Sequence, residues 1–121
     1  MAVTRIVTNI AIAPFDAARI DAARAFYGTI LGMTVAMDHG WIVTFVGDGA
    51  ATPQISFAAE GGSGTPVPDL SIEVDDLTDV QRRLFKAGYP IEYGPADEPW
   101  GVRRFFVRDP FGRLLNILSH I

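Results

Sequence analysis

An amide occupies position 116, in the stretch "PWGVRRFFVRDPFGRLLNI" (Pro99–Ile117), which reads as strand, tight turn and strand. The turn is Asp109-Pro110-Phe111-Gly112, of type I: Asp starts it, Pro fixes the second position and Gly closes it. A carboxylate at Asn116 would suggest metal chemistry, and the amide points elsewhere. The chain has no cysteine, so thiolate metal sites and disulfides are excluded. No Ser, His and acidic residue fall in a triad pattern, and no catalytic residue is assigned. The two histidines, His39 in a turn and His120, are far apart in sequence and read as exposed. The other chemistry-bearing residues are aromatic and basic. Trp41, Phe57, Tyr93, Trp100 and Phe106 fall in strand-like stretches, with Arg104 among them. Aromatic side chains lining a cavity suit a flat, partly apolar guest, which gains stacking area at low entropy cost. Arg104 would stack on such a guest or bond its carbonyl or carboxylate.

Strands and helices must position these groups. "TRIVTNIAIA" (Thr4–Ala13) is β-branched and reads as a strand. Asp21 caps a predicted helix through "AARAFYGTIL", with Phe26, Ile30 and Leu31 on one face and Gly32 ending it. "TVAMDHGWIVTFVG" gives two strands around Asp38-His39-Gly40, and "TPQISFAA" a fourth. "EGGSGTPVP" (Glu60–Pro68) is rich in Gly, Ser and Pro; no Lys-Ser/Thr follows it, so it reads as a flexible linker rather than a phosphate loop.

The pattern then starts again. "DLSIEVDDL" is a strand, and "TDVQRRLFKAGY" a helix capped by Thr78 or Asp79, with Val80, Leu84 and Phe85 on one face and Gly88 at its end. "PIEYGPAD" and the two strands around the Asp109 turn complete it. The chain is therefore predicted as α+β, a single domain over residues 1–121 of two βαβββ modules: about 1–59, linker 60–68, and about 69–121. A sheet with one helix has only one face covered, and its other face must find a partner. Two such modules, in one chain or across a dimer, are expected to form a curved mixed sheet, a cup with the helices on its outer face. Alternate strand residues line its inside. With Asn116 facing in, Leu114 and Leu118 share that face.

Composition narrows the class. A hydrophobic content of 49% in 121 residues supports one folded core. No apolar run reaches the roughly 18–20 residues of a membrane span, and no signal peptide is read, which fits a cytoplasmic protein. A net charge of −4 without a basic cluster argues against nucleic acid and mildly favours a cationic or neutral small partner.

"ARAFYGTILGM", "SIEVDDL" and "RDPFGRLLNI" together resemble the vicinal oxygen chelate superfamily, which includes glyoxalase I, extradiol dioxygenases, fosfomycin-resistance enzymes and bleomycin-resistance proteins. The resemblance covers essentially the whole chain. "DEPWGVRRFFVRDPFGRLL" is most similar to the bleomycin-resistance branch. It departs from that branch by one inserted residue near Val102, by Arg104 where the branch has an acidic residue, and by Arg113 where Asn is usual. The superfamily's enzymes hold a divalent metal at the base of the cup, at positions that map here onto Asn9, about Ser56, Asp69 and Asn116. Neutral amides are weak ligands for a transition metal, so neither metal nor other cofactor is expected here; Asp69 with the two amides would at most hold a hard ion such as calcium or magnesium weakly. Asp69 is then either a buried general base or a hydrogen-bond partner of the two asparagines at the cup floor. By the same resemblance Trp100, Val102, Arg104 and Phe106 face inward, with Arg103 and Phe105 on the helix side.

The expected ligand set is thus Trp100, Arg104, Phe106, Asn9, Asp69, Asn116, Trp41, Phe57 and Tyr93. The function read from it is metal-independent sequestration of a planar or aromatic small molecule, such as an antibiotic of the bleomycin type, by a homodimer. The alternatives are a metal-dependent lyase, isomerase or dioxygenase with an atypical site, and a small-molecule carrier.

Overall fold

A computed structural model describes residues 2–50 and 52–121. The order of elements is the one expected, β-α-β-β-β twice. The elements are β1 (Val3–Ala11), α1 (Ala17–Ala23), β2 (Thr34–Asp38), β3 (Ile42–Val46), β4 (Gln54–Ala58), β5 (Leu70–Val74), α2 (Leu77–Ala87), β6 (Ile91–Asp97), β7 (Val102–Arg108) and β8 (Leu114–His120). The fold is α+β, with parallel and antiparallel strand pairs. It divides into two compact units: Val7–Val67, and the residues up to Ile6 together with Pro68–Ile121. β1 therefore gives its first residues to one unit and the rest to the other.

In the unit Val7–Val67 the strands run in the order β2-β3-β4-β1. α1 begins earlier than predicted. Asp16, not Asp21, is its N-cap, with a carboxylate oxygen accepting from Arg19 N–H at 2.9 Å. The helix then continues as a π-helical stretch, Arg24–Ile30, in which Leu31 N–H reaches back to the Phe26 carbonyl. Widening a helix turns the side chains that follow away from a 3.6-residue face. Phe26, Ile30 and Leu31 are accordingly exposed, Ile30 at 71%. Ile20, Ala23 and Tyr27 take the core face, against Val43, Phe45 and Phe57. The Gly/Ser/Pro-rich stretch contains a hydrogen-bonded turn. Gly61 N–H donates to Thr65 O, Thr65 Oγ1 donates to Gly62 O, and Gly64 N–H donates to the Glu60 carboxylate. A Cβ on Gly61 would collide with the Pro66 carbonyl oxygen and Thr65 Oγ1, so only glycine fits.

In the other unit the order is β5-β8-β7-β6, with the first residues of β1 beside β5. α2 is capped by Asp76, whose side chain accepts from Asp79 N–H at 3.0 Å, rather than by Thr78 or Asp79. Asp79 instead sits in the first turn and pairs with Arg82 and Arg83. Gly88 closes the helix in a left-handed conformation, as predicted. Leu77, Val80 and Leu84 pack on Phe105, Val107 and Ile117, whereas Phe85 is 85% exposed. The Asp109 turn forms as read: Gly112 N–H donates to Asp109 O, and the Asp109 carboxylate accepts from Phe111 and Arg113 N–H.

Candidate functional site

The strand period of two sorts β7 into two faces. Phe105 and Val107 belong to the core beneath α2, so Arg104 and Phe106 lie on the opposite face. Register extends that face across the sheet: Phe106 stands opposite Asn116 on β8 and Tyr93 on β6, and Asn116 stands beside Ser71 on β5. Arg104 stands opposite Leu118 and Ala96. β6 bulges between Tyr93 and Ala96. Gly94 makes this possible, with φ +83 and a virtual Cβ that would come within 2.6 Å of the Arg104 carbonyl oxygen. A side chain there would push β6 off Arg104.

Arg104 is only 2% exposed, and its charge is met by Glu98, itself 8% exposed. Nη2 and Nε donate to one oxygen of Glu98, at 2.7 and 3.1 Å. Tyr93 donates its hydroxyl to the other oxygen at 3.0 Å. The guanidinium also lies over three rings, 4.8 Å from the centroids of Trp100 and Phe106 and 5.4 Å from that of Tyr93. Tyr93 and Trp100 are half-buried, and Phe106 is buried. Glu98, Trp100 and Gly101 form a tight turn in which Gly101 N–H returns to Glu98 O and Glu98 N–H reaches Val102 O. That turn brings the acid and the indole together over one cation.

Of the predicted ligand set, this unit gathers Tyr93, Trp100, Arg104, Phe106 and Asn116 on one face or at its rim. Arg104 is occupied by Glu98 and the rings rather than presented bare to a guest. Asn116 Nδ2 donates to Ser71 Oγ at 3.1 Å, while its Oδ1 is buried with no hydrogen-bond partner. Asp69 Oδ2 accepts from Leu114 N–H at 3.3 Å, which ties β8 to the segment before β5. Glu73 is held by Arg5 at 2.8 Å and by His120 Nδ1 at 3.1 Å. Burial pushes the Glu73 carboxyl up, but the hydrogen bonds with His120 and Arg5 outweigh it and leave the group below the ordinary range. His120 is thus exposed, as expected, but tethered.

In the unit Val7–Val67, Phe57 corrects the expectation. It faces the α1 core, in ring contact with Tyr27 at 5.0 Å and Phe45 at 6.1 Å. The reason is parity: with Ser56 on one face of β4, Phe57 has to be on the other. Ser56 shares a 2.7 Å hydrogen bond with Thr44 and stands opposite Asn9. Trp41 lies just before β3, its ring 6.2 Å from that of His39 in a stacked pair.

The positions that the resemblance maps onto the superfamily's metal ligands are two amides, Asn9 and Asn116, a hydroxyl engaged by Thr44, and a carboxylate, Asp69, accepting a backbone N–H. Zinc, nickel, manganese and iron require several imidazole or carboxylate donors, and this set does not fit them. Among the described residues no three of His, Asp and Glu are placed to hold a metal ion. No helix among them is long and apolar enough to cross a membrane. Sequence reasoning missed Glu98. Its signal was available: a buried arginine needs a counter-charge, and Glu98 is the acid just across the turn from Arg104.

Residues 17–117 match the family model described as the Glyoxalase/Bleomycin resistance protein/Dioxygenase superfamily. No curated protein matches the chain. Among solved structures, the chain is similar to a glyoxalase/bleomycin resistance protein/dioxygenase superfamily member from Vibrio splendidus 12B01, with TM-score 0.64 and 19% identity over 97% of this chain and 98% of that one. It is also similar to methylmalonyl-CoA epimerase from Mycobacterium tuberculosis, with TM-score 0.67 and 22% identity over 98% and 89% of the two chains. A structure described as NAD-dependent benzaldehyde dehydrogenase from Legionella pneumophila gives TM-score 0.69 and 16% identity over 97% and 100%. At such identities the likeness is one of fold.

Proposed function

The chain belongs to the Glyoxalase/Bleomycin resistance protein/Dioxygenase superfamily, and we propose that within it this protein sequesters a planar or aromatic small molecule without using a metal. The observation that carries this reading is the Arg104 cluster. Glu98 and three rings hold one buried cation, and two of those rings, Tyr93 and Trp100, are only half-buried. Asn116 supports it. An orphaned buried acceptor costs about 1–3 kcal/mol, which a donor on a guest would offset. The donor set at the metal-equivalent positions argues against the lyase, isomerase and dioxygenase readings. The Pro99-Trp100-Gly101 turn favours a guest of the bleomycin type, and the absence of cysteine is compatible with the cytoplasm.

Titration of tryptophan emission with bleomycin and, separately, with planar antibiotics tests the proposal. Binding is expected to quench or shift the emission. Trp100→Ala should cost roughly 1–3 kcal/mol of affinity, with a smaller change in fold stability. A mutant that instead loses about 3–5 kcal/mol of stability, beside a wild type that binds no planar compound, would reduce Trp100 to core. Stoichiometric zinc, nickel, manganese or iron in protein purified without chelator would restore the enzyme reading.

The homodimer belongs to the same proposal. Phe26, Ile30, Leu31 and Val35 leave large apolar side chains in water. Light scattering at micromolar concentration should give twice the 13.1 kDa chain mass; the mass of a single chain would remove the dimer.

A further inference from the structure

A buried ion pair is a poor way to hold a fold. Two charges taken out of water lose solvation that their attraction commonly fails to return, and apolar side chains of the same volume stabilise as well or better. The Arg104–Glu98 pair is almost completely buried, yet it lies apart from the apolar core beneath α2, among the rings of Tyr93, Trp100 and Phe106. Its effect is felt by whatever touches those rings. A guanidinium 4.8 Å from the Trp100 centroid, left to itself, would give the half-buried ring a positive backing. A guest stacked on the far side of the indole would lie about 8 Å from the cation, close enough in a partly buried setting for a negative charge on it to gain roughly tenfold in affinity. Glu98 offsets that field. Its carboxylate is fixed by Nε and Nη2 of Arg104 and by the Tyr93 hydroxyl, so it does not swing away.

We propose that Glu98 is a specificity-determining residue: by offsetting Arg104 it makes the wall formed by Tyr93 and Trp100 accept uncharged planar guests in preference to anionic ones. This rests on the binding function proposed above and removes anionic molecules from its ligand class. Glu98 acts through Arg104 and is a positioning residue for the wall.

A matched pair of probes tests it: 2-naphthamide, which is uncharged, and 2-naphthoate, which has the same shape and a negative charge. With that field offset, nothing compensates the desolvation of the carboxylate, so wild type should bind the amide about tenfold more tightly, read by tryptophan quenching. Glu98→Gln should shift that ratio roughly tenfold toward 2-naphthoate. Glu98→Gln combined with Arg104→Met, from which both charges are gone, should lose the gain. A merely structural Glu98 would weaken both probes together and leave their ratio unchanged. An unchanged ratio in Glu98→Gln with the amide still bound, or a wild type that prefers 2-naphthoate, overturns the selectivity and leaves the binding function standing. A wild type that binds neither probe overturns both. Should Glu98→Gln fail to fold by circular dichroism, the wild-type ratio and the double variant decide: a carboxylate preference in either overturns the proposal.

Discussion

The two units repeat one architecture with opposite chemistry on the face away from the helix. Beneath the helices they are alike: Ile20, Val43, Phe45 and Phe57 in one, Val74, Leu77, Phe105, Val107 and Ile117 in the other. On the alternate strand positions they part. The unit Val7–Val67 buries two neutral hydroxyls, Thr44 and Ser56, 2.7 Å apart. The other buries a full ion pair wrapped in aromatic rings. Folding needs the first kind of face in both units, whereas the second kind is free to differ. The unit carrying Arg104 is therefore the one to which the proposed recognition chemistry is assigned.

The comparison is broken most directly in the cores. Phe105→Ala and Phe45→Ala should each cost about 3–5 kcal/mol in urea denaturation, because both rings are fully buried beneath a helix. A large inequality between them would mean that the helix-side faces are not equivalent. On the opposite faces the effects should diverge. Arg104→Ala strips the cation from a buried carboxylate and should also cost about 3–5 kcal/mol. Ser56→Ala removes one partner of a neutral pair and should cost about 1–3 kcal/mol. Equal costs for these two would erase the distinction drawn between the units.

The smallest effect is expected from Glu73→Gln. The native Glu73 carboxyl lies below its unfolded value, so its contribution to stability is fully present above the unfolded pKa of about 4.3 and is lost as pH falls through the lower native value. Melting curves between pH 3 and pH 6 should show less acid destabilisation in the mutant, by under about 1 kcal/mol for so accessible an ion pair. An unchanged acid limb would mean that Arg5 and His120 do not hold Glu73 in solution.

The succession of elements along the chain, the Gly88 helix end and the Asp109 turn were legible because each rests on local rules: alternation, a left-handed glycine, an Asp-Pro-x-Gly turn. The placing of Arg104 and Phe106 on the face opposite Phe105 came from the family resemblance and not from a local rule. Helix starts were not. Asp16 and Asp76 cap where Asp21, Thr78 and Asp79 were expected, since an Asp or Thr inside a helix has the same side-chain acceptor as one at its cap. The exposed Phe26, Ile30 and Leu31 were misjudged because a π-helical stretch leaves no mark in a 3.6-residue pattern. Phe57 was readable from parity with Ser56. Glu98 escaped because a glutamate before Pro-Trp-Gly in a turn looks like surface, and its burial depends on Arg104 across the turn.

The division of β1 between the units also bears on the order in which the chain can be made. Ala2 exchanges hydrogen bonds with Asp75, 73 residues further along. At ribosomal speeds of about 5–20 residues per second, the start of β1 leaves the tunnel roughly 4–15 seconds before β5 exists to receive it. In that interval Val7–Ala11 can already dock on β4, while the residues before them remain an unpaired strand edge. Completion of the second unit is thus a closure of high contact order, slow by topology, with its N-terminal strand waiting in the open for translation to catch up.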